Sequence, residues 1–293
     1  MSPERIGFST ASMAALSIPD ACGAGRDLGL KAVELLAFDG YRHSQGVLAG
    51  FYFDRLSTQE KDTLRNAVSG FEHVSVHAPF FENTLLSPNQ ALRDCAMHEM
   101  LASFDGTAFL GGRVVVTHAP AKGTFSLDEA WSELVEVYRR LGDYGGEIGI
   151  KVTIETCYPA EIDRFAELVH SIDHPAVGAT VDVGHLRALV PPDMVNETQR
   201  AEYYNDLIEA HVRSLGDRLW HFHMHDTRFA DLRDHRGCGL GGIDYARLFR
   251  VTDEMGYGGW FIIEIEEPDG VNAVARSRDT LATAMAAART TGR

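Results

Sequence analysis

The stretch "WHFHMHDTR" (220–228) sets His221, His223 and His225 at alternate positions. Alternation is strand spacing, so the three imidazoles leave one face of a strand while Phe222 and Met224 leave the other. Carboxylates recur in similar settings: Glu155 in "KVTIETC", Asp182 in "GATVDVGH" and Glu264 in "WFIIEIEE". They share a face with Thr153, Thr180 and Ile262 respectively. Inward carboxylates without a compensating charge would raise one another's pKa and be costly to desolvate. No lysine or arginine stands at these strand ends to offset them. A divalent cation would, and carboxylates with an imidazole form a workable donor set for manganese, zinc, iron, cobalt or magnesium. His77 in "VSVHAPF" and His118 in "VVVTHAP" end two further apolar runs.

These residues need a scaffold that brings them together. Eight short runs rich in β-branched or aromatic residues read as strands: 5–10, 32–37, 73–78, 113–119, 151–157, 177–185, 219–226 and 260–266. Helical patterns lie between them. Residues 87–111 place Leu92, Ala96, Met100, Phe104 and Ala108 four apart, and Ser126 with Glu129 has the spacing of a capping box. Residues 244–256 end on glycine, and an alanine-rich helix closes the chain. The alternation leaves about 37 residues per unit, which suits an α/β fold in the form of one (β/α)8 TIM barrel spanning 1–293. The strand-end residues then meet on its C-terminal rim, where such barrels carry their sites. Long connections after the sixth and seventh strands, 186–199 and 227–243, supply walls. An open doubly wound sheet would require a glycine-rich phosphate loop after the first strand, and "STASMAALS" is not one.

The formal charge of −15 counts against nucleic acid or an anionic membrane as the main partner. Cys22, Cys95, Cys157 and Cys238 are scattered without a CxxC pair, which fits reduced thiols in a cytoplasm. The opening residues lack the apolar core of a signal peptide, and no apolar run approaches the ~20 residues of a membrane span. The expectation is a soluble cytoplasmic protein.

The ordered set "VSVHAPF", "VVVTHAP", "VTIETC", "VDVGH", "HFHMHD", "HRGCGLGGID" and "YGGWFIIEIEE" resembles the xylose-isomerase-like TIM-barrel superfamily. That group includes keto-sugar 3-epimerases, inosose dehydratase, hydroxypyruvate isomerase and, on a more distant branch, endonuclease IV. The resemblance implies Glu155, Asp182, His223 and Glu264 as ligands of one divalent ion, manganese first, with zinc, cobalt, iron or magnesium as alternatives. It implies Glu155 and Glu264 as the catalytic pair that moves a proton beside a carbonyl of a small keto-sugar or polyol ketone. His185, Glu161 and Arg228 match substrate contacts, with Arg228 one position short of the family's arginine. His77 and His118 line the pocket, and His221 and His225 are hydrogen-bonded neighbours of His223. Epimerisation, isomerisation and dehydration all remain open to such a site, as does a homo-oligomer.

The rival is an abasic-site endonuclease with three metals. Its extra ligands would fall on His77, His118, His185 and His235, all histidine in this chain. Against it, the acidic ligand two residues before His235 falls on Arg233, leaving Asp231 or Asp234 to substitute. Basic patches that would hold a duplex are also lacking. Aromatic candidates for the pocket wall are Phe8, Phe38, Phe80 and Trp260.

Overall fold

The computed structural model describes residues 3–81, 83–120 and 126–290. Eight parallel strands close into a barrel: β1 (Ile6–Ser9), β2 (Ala32–Leu36), β3 (His73–His77), β4 (Val114–Thr117), β5 (Lys151–Glu155), β6 (Val177–Asp182), β7 (Leu219–Met224) and β8 (Trp260–Ile263). Neighbours in sequence are neighbours in the sheet, and β1 pairs β8 to close it. Helices follow each strand: α1 (Ile18–Asp27), α2 (Thr58–Val68), α3 (Gln90–Phe109), α4 (Leu127–Glu147), α5 (Ile162–Ile172), α6 (Glu197–Leu215), α7 (Tyr245–Glu254) and α8 (Gly270–Thr290). No helix among the described residues is long and apolar enough to cross a membrane. All four cysteines are free.

Local chemistry explains the boundaries. Ser126 accepts from the Glu129 amide while the Glu129 carboxylate accepts from the Ser126 amide, which fixes the start of α4. Caps of this kind contribute about 1 kcal/mol each. In α3, Met100 and Phe104 are buried as the stripe requires, but Leu92 is 46% exposed and lies outside the packed face.

The strands stop one to three residues earlier than sequence patterning suggests. The chain leaves the ladder at the rim: His118, His185 and Glu264 lie past the last ladder residue of their strands. The connection after β7 folds into a two-stranded ribbon, Asp226–Arg228 against Arg233–Arg236. The buried Asp226 carboxylate anchors it by accepting from the amides of Thr227, Gly239 and Ile243. A second ribbon, Arg42–His43 against Gly46–Val47, follows β2 and was not evident from sequence.

Candidate metal centre at the barrel rim

The strand register lifts the expected residues to one level. Asp182 is paired with His223 in the ladder, and His223 with Ile262, two residues before Glu264. Glu155 ends β5, one strand from Asp182. His223 Nδ1 lies 2.9 Å from Glu264 Oε2, 3.3 Å from Glu155 Oε2 and 3.8 Å from Asp182 Oδ2. The ring is fully buried, yet neither nitrogen is aligned for a hydrogen bond with any group among the described residues. One donor atom from each of these four residues lies within 4.8 Å of the others. Donors about 2.1 Å from a common ion stand at most about 4.2 Å apart, so the three contacts to Nδ1 already fit that span.

The surrounding imidazoles have definite hydrogen-bond roles. Asp182 Oδ1 accepts from the amides of Gly184 (2.8 Å) and His185 (3.1 Å) and from His225 Nε2 (2.8 Å). The other ring nitrogen of His225 accepts from the His235 amide at 2.9 Å, so the His225 proton sits on Nε2. The two rings stack at 4.2 Å. Glu155 is ringed by His77 Nε2 (3.2 Å), His118 Nε2 (3.1 Å) and His185 Nδ1 (3.0 Å), besides His223. His77 Nδ1 donates to the Ala78 carbonyl at 2.8 Å.

This shell supplies the compensating charge. Glu155 does raise Glu264, yet Glu155, Asp182 and Glu264 all end below the usual carboxylate range. Burial pushes each of them up, but the facing imidazoles outweigh it. Conversely, burial lowers His223, His185 and His77, and the carboxylates more than reverse that, so all three are raised. His118 is lowered, by burial first and also by repulsion from His77 and His185.

A cavity of about 350 Å³ opens above this centre. Leu36 at the end of β2, with Phe38, Tyr41, Leu48 and Phe80 from the connections after β2 and β3, forms an apolar side. His118, His185, Arg187, Asp234, His235 and Glu264 form the polar side. His77 also lines it, whereas Glu161 and Arg228 do not. Glu161 is exposed before α5, and Arg228 points to solvent, paired with Asp231 at 2.8 Å. Arg187 supplies the guanidinium instead, 3.2 Å from Asp234. Asp234, not Asp231, joins His185 and His235 in a further metal-compatible group. Phe38 and Phe80 are pocket aromatics as expected; Phe8 is core, and Trp260 stacks on His73 at 5.4 Å, away from the site. A larger cavity of about 440 Å³ around Trp220 and Tyr257 holds none of the expected residues.

Sequence reasoning missed Glu34, fully buried on β2 beneath the rim. Its signal was present: a lone carboxylate inside the apolar run "AVELLA".

The family described as xylose isomerase-like TIM barrel matches residues 22–288. An uncharacterised protein of Methanocaldococcus jannaschii is 27% identical over 217 residues, 71% of this chain and 68% of its own length. Inosose dehydratase of Klebsiella pneumoniae is 27% identical over 203 residues, covering 58% of this chain and 60% of that enzyme. Among solved structures, a D-tagatose 3-epimerase-like protein superposes with a TM-score of 0.76 at 19% identity, over 99% of this chain and 100% of the other. The IolI protein, solved with a zinc atom, gives 0.74 at 17% identity over 96% and 98%.

Proposed function

This chain belongs to the xylose isomerase-like TIM barrel family, and we propose that it is a divalent-cation-dependent isomerase or epimerase of a small keto-sugar or polyol ketone. The observation that carries the reading is the His223 corner: a buried imidazole nitrogen with no aligned hydrogen-bond partner among the described residues, faced by oxygens of Glu155, Asp182 and Glu264. These four residues would hold the ion. A divalent cation there would supply positive charge against the oxygen charge that develops when a carbonyl substrate enolises.

The chain's own groups account for the rest. Glu155 and Glu264 approach His223 from different strands, and both are held ionised, as a general base must be. One takes the proton from the carbon beside the carbonyl, and the bonding pair moves toward the carbonyl oxygen. For inversion the other carboxylate first takes a proton from solvent and then delivers it; for isomerisation the first, now protonated, returns the proton it took. Return to the opposite face inverts that carbon; return to the neighbouring carbon, with transfer of a hydroxyl proton, moves the carbonyl. Expulsion of a β-hydroxyl as water gives dehydration, the outcome suggested by the inosose dehydratases among its relatives. Among the described residues Arg187 is the one lysine or arginine lining the cavity, against Glu155, Asp234, Glu264 and Glu266. That balance favours an uncharged substrate over a phosphate ester.

A second reading rests on one further feature. His77, His118 and Glu155 form another metal-compatible group, and His185, Asp234 and His235 a third. Three ions so placed would suit an abasic-site nuclease. Metal analysis of purified protein separates the readings, near one ion per chain for sugar chemistry and near three for the nuclease. Incubation with ketohexoses or an inosose in heavy water should place deuterium beside the carbonyl; its absence with every ketone tried would sink the first reading.

A further inference from the structure

Glu34 projects into the barrel one step below the rim, is fully buried, and has no lysine or arginine partner among the described residues. Its two oxygens are divided. Oε2 accepts from Ser75 Oγ at 2.8 Å and from His221 Nε2 at 3.0 Å. Oε1 takes no aligned hydrogen bond among the described residues and stands 3.0 Å from His223 Nε2. The two face each other within hydrogen-bond distance, and a buried imidazole N–H needs an acceptor.

We propose that Glu34 is a positioning residue: it keeps the His223 proton on Nε2 and so presents Nδ1, with its lone pair, to the corner made by Glu155, Asp182 and Glu264. This rests on reading His223 as a cation ligand. A neutral imidazole carries one proton, and the nitrogen without it is the one that binds an ion. Carboxylates behind histidine ligands fix the tautomer and ring angle, and losing one typically weakens metal binding 10- to 100-fold. Ser75 and His221 hold Oε2 and thereby aim Oε1, which gives His221 a purpose as the brace of the carboxylate. Glu34 touches neither the cavity nor the three acidic ligands, so its action runs through His223 alone.

The test uses metal-stripped full-length protein and Mn2+ titrated calorimetrically. Glu34→Met keeps the length and removes both acceptors; the dissociation constant should rise 10- to 100-fold. Thr180→Val, which removes a buried barrel hydroxyl that donates to Thr153 and bonds neither Glu34 nor His223, should stay within about threefold. Wild-type affinity in Glu34→Met, or an equal fall in Thr180→Val, overturns the proposal. Should Glu34→Met fail to fold, the wild type still decides. In Zn2+-loaded protein with 15N-labelled histidine, assigned by loss of the signal in His223→Gln, the His223 proton should sit on Nε2; a proton on Nδ1 overturns the proposal. A wild type that binds neither ion fails in a different way, removing the cation reading itself and this inference with it.

Discussion

Glu155→Gln keeps the side chain's shape and removes one charge from a point that four imidazoles approach at 3.0 to 3.3 Å. Taking one member out of a buried charged cluster costs about 3 kcal/mol or more. If the lost contact is to a cation, that is roughly a hundredfold in its dissociation constant. A ligand that binds only the folded chain stabilises it by RT ln(1 + [L]/Kd), about 2.7 kcal/mol at one hundred times Kd. At the same free Mn2+ the variant should gain only RT ln 2, about 0.4 kcal/mol. Urea unfolding of metal-stripped protein, with and without Mn2+, reads both increments. The metal-free Glu155→Gln variant will also be weaker, because its imidazoles have lost their counter-charge, so the increment is the quantity that matters. Glu161→Gln, at an exposed position off the cavity, should keep the full gain. Equal increments in wild type and Glu155→Gln would refute the assignment of Glu155 as a ligand.

His211 is buried edge-on against Phe165, with neither ring nitrogen bonded among the described residues, and burial lowers its pKa to about 4. Between pH 6.5 and 4 the unfolded chain takes up a proton the folded one refuses, so stability falls as pH falls. His211→Leu should therefore gain about 2 kcal/mol on wild type between pH 7 and 5, and a constant difference in urea midpoints would count against it. Burial lowers His223, but Glu264, Glu34 and Glu155 raise it, so protons compete with an ion for Nδ1: Mn2+ affinity should weaken as pH falls, measured calorimetrically, and a pH-independent affinity contradicts Nδ1 ligation. A Cβ at Gly184 would run into the His225 ring, which cannot move without leaving Asp182 and His235; Gly184→Ala should cost about 1–3 kcal/mol and weaken Mn2+ binding, and wild-type values for both would refute that packing. Arg187→Ala should raise KM with little change in kcat, whereas Arg228→Ala should change neither, since of the two only Arg187 lines the cavity.

The barrel was readable because its strands are short β-branched runs at regular intervals, and parallel closure puts their ends on one level. The convergence of Glu155, Asp182, His223 and Glu264 follows from that geometry once the alternation within each strand is correct. What stayed hidden depends on chain that leaves the ladder. Glu161 and Arg228 were placed by offset from a strand, but a helix start and a ribbon turn carry them outward. Arg187 enters because a short 3-10 turn (Arg187–Leu189) redirects the backbone just after β6. Glu34 was legible in principle, as a carboxylate inside an apolar strand, but its partners lie 41 and 187 residues away. Only closure of the barrel shows that they meet.

The imidazole shell changes the electrostatic argument for a cation without removing it. Burial pushes the rim carboxylates up, and the facing imidazoles outweigh it: His118 and His223 at Glu155, His185 and His225 at Asp182, and His223 at Glu264. That arrangement leaves the His223 contacts short but misaligned, a poor set of hydrogen bonds for a fully buried group. An imidazolium and a divalent ion are thus alternative occupants of one electrostatic position. The ion satisfies all four residues through one centre, whereas a single proton on Nδ1 can point at only one oxygen. In the deeper layer Ser75 and His221 both donate to Glu34 Oε2, while Oε1 and His221 Nδ1 have no aligned partner among the described residues. On the proposed reading it is the rim, with its oxygens gathered on one misaligned imidazole nitrogen, that takes a charge from outside the chain.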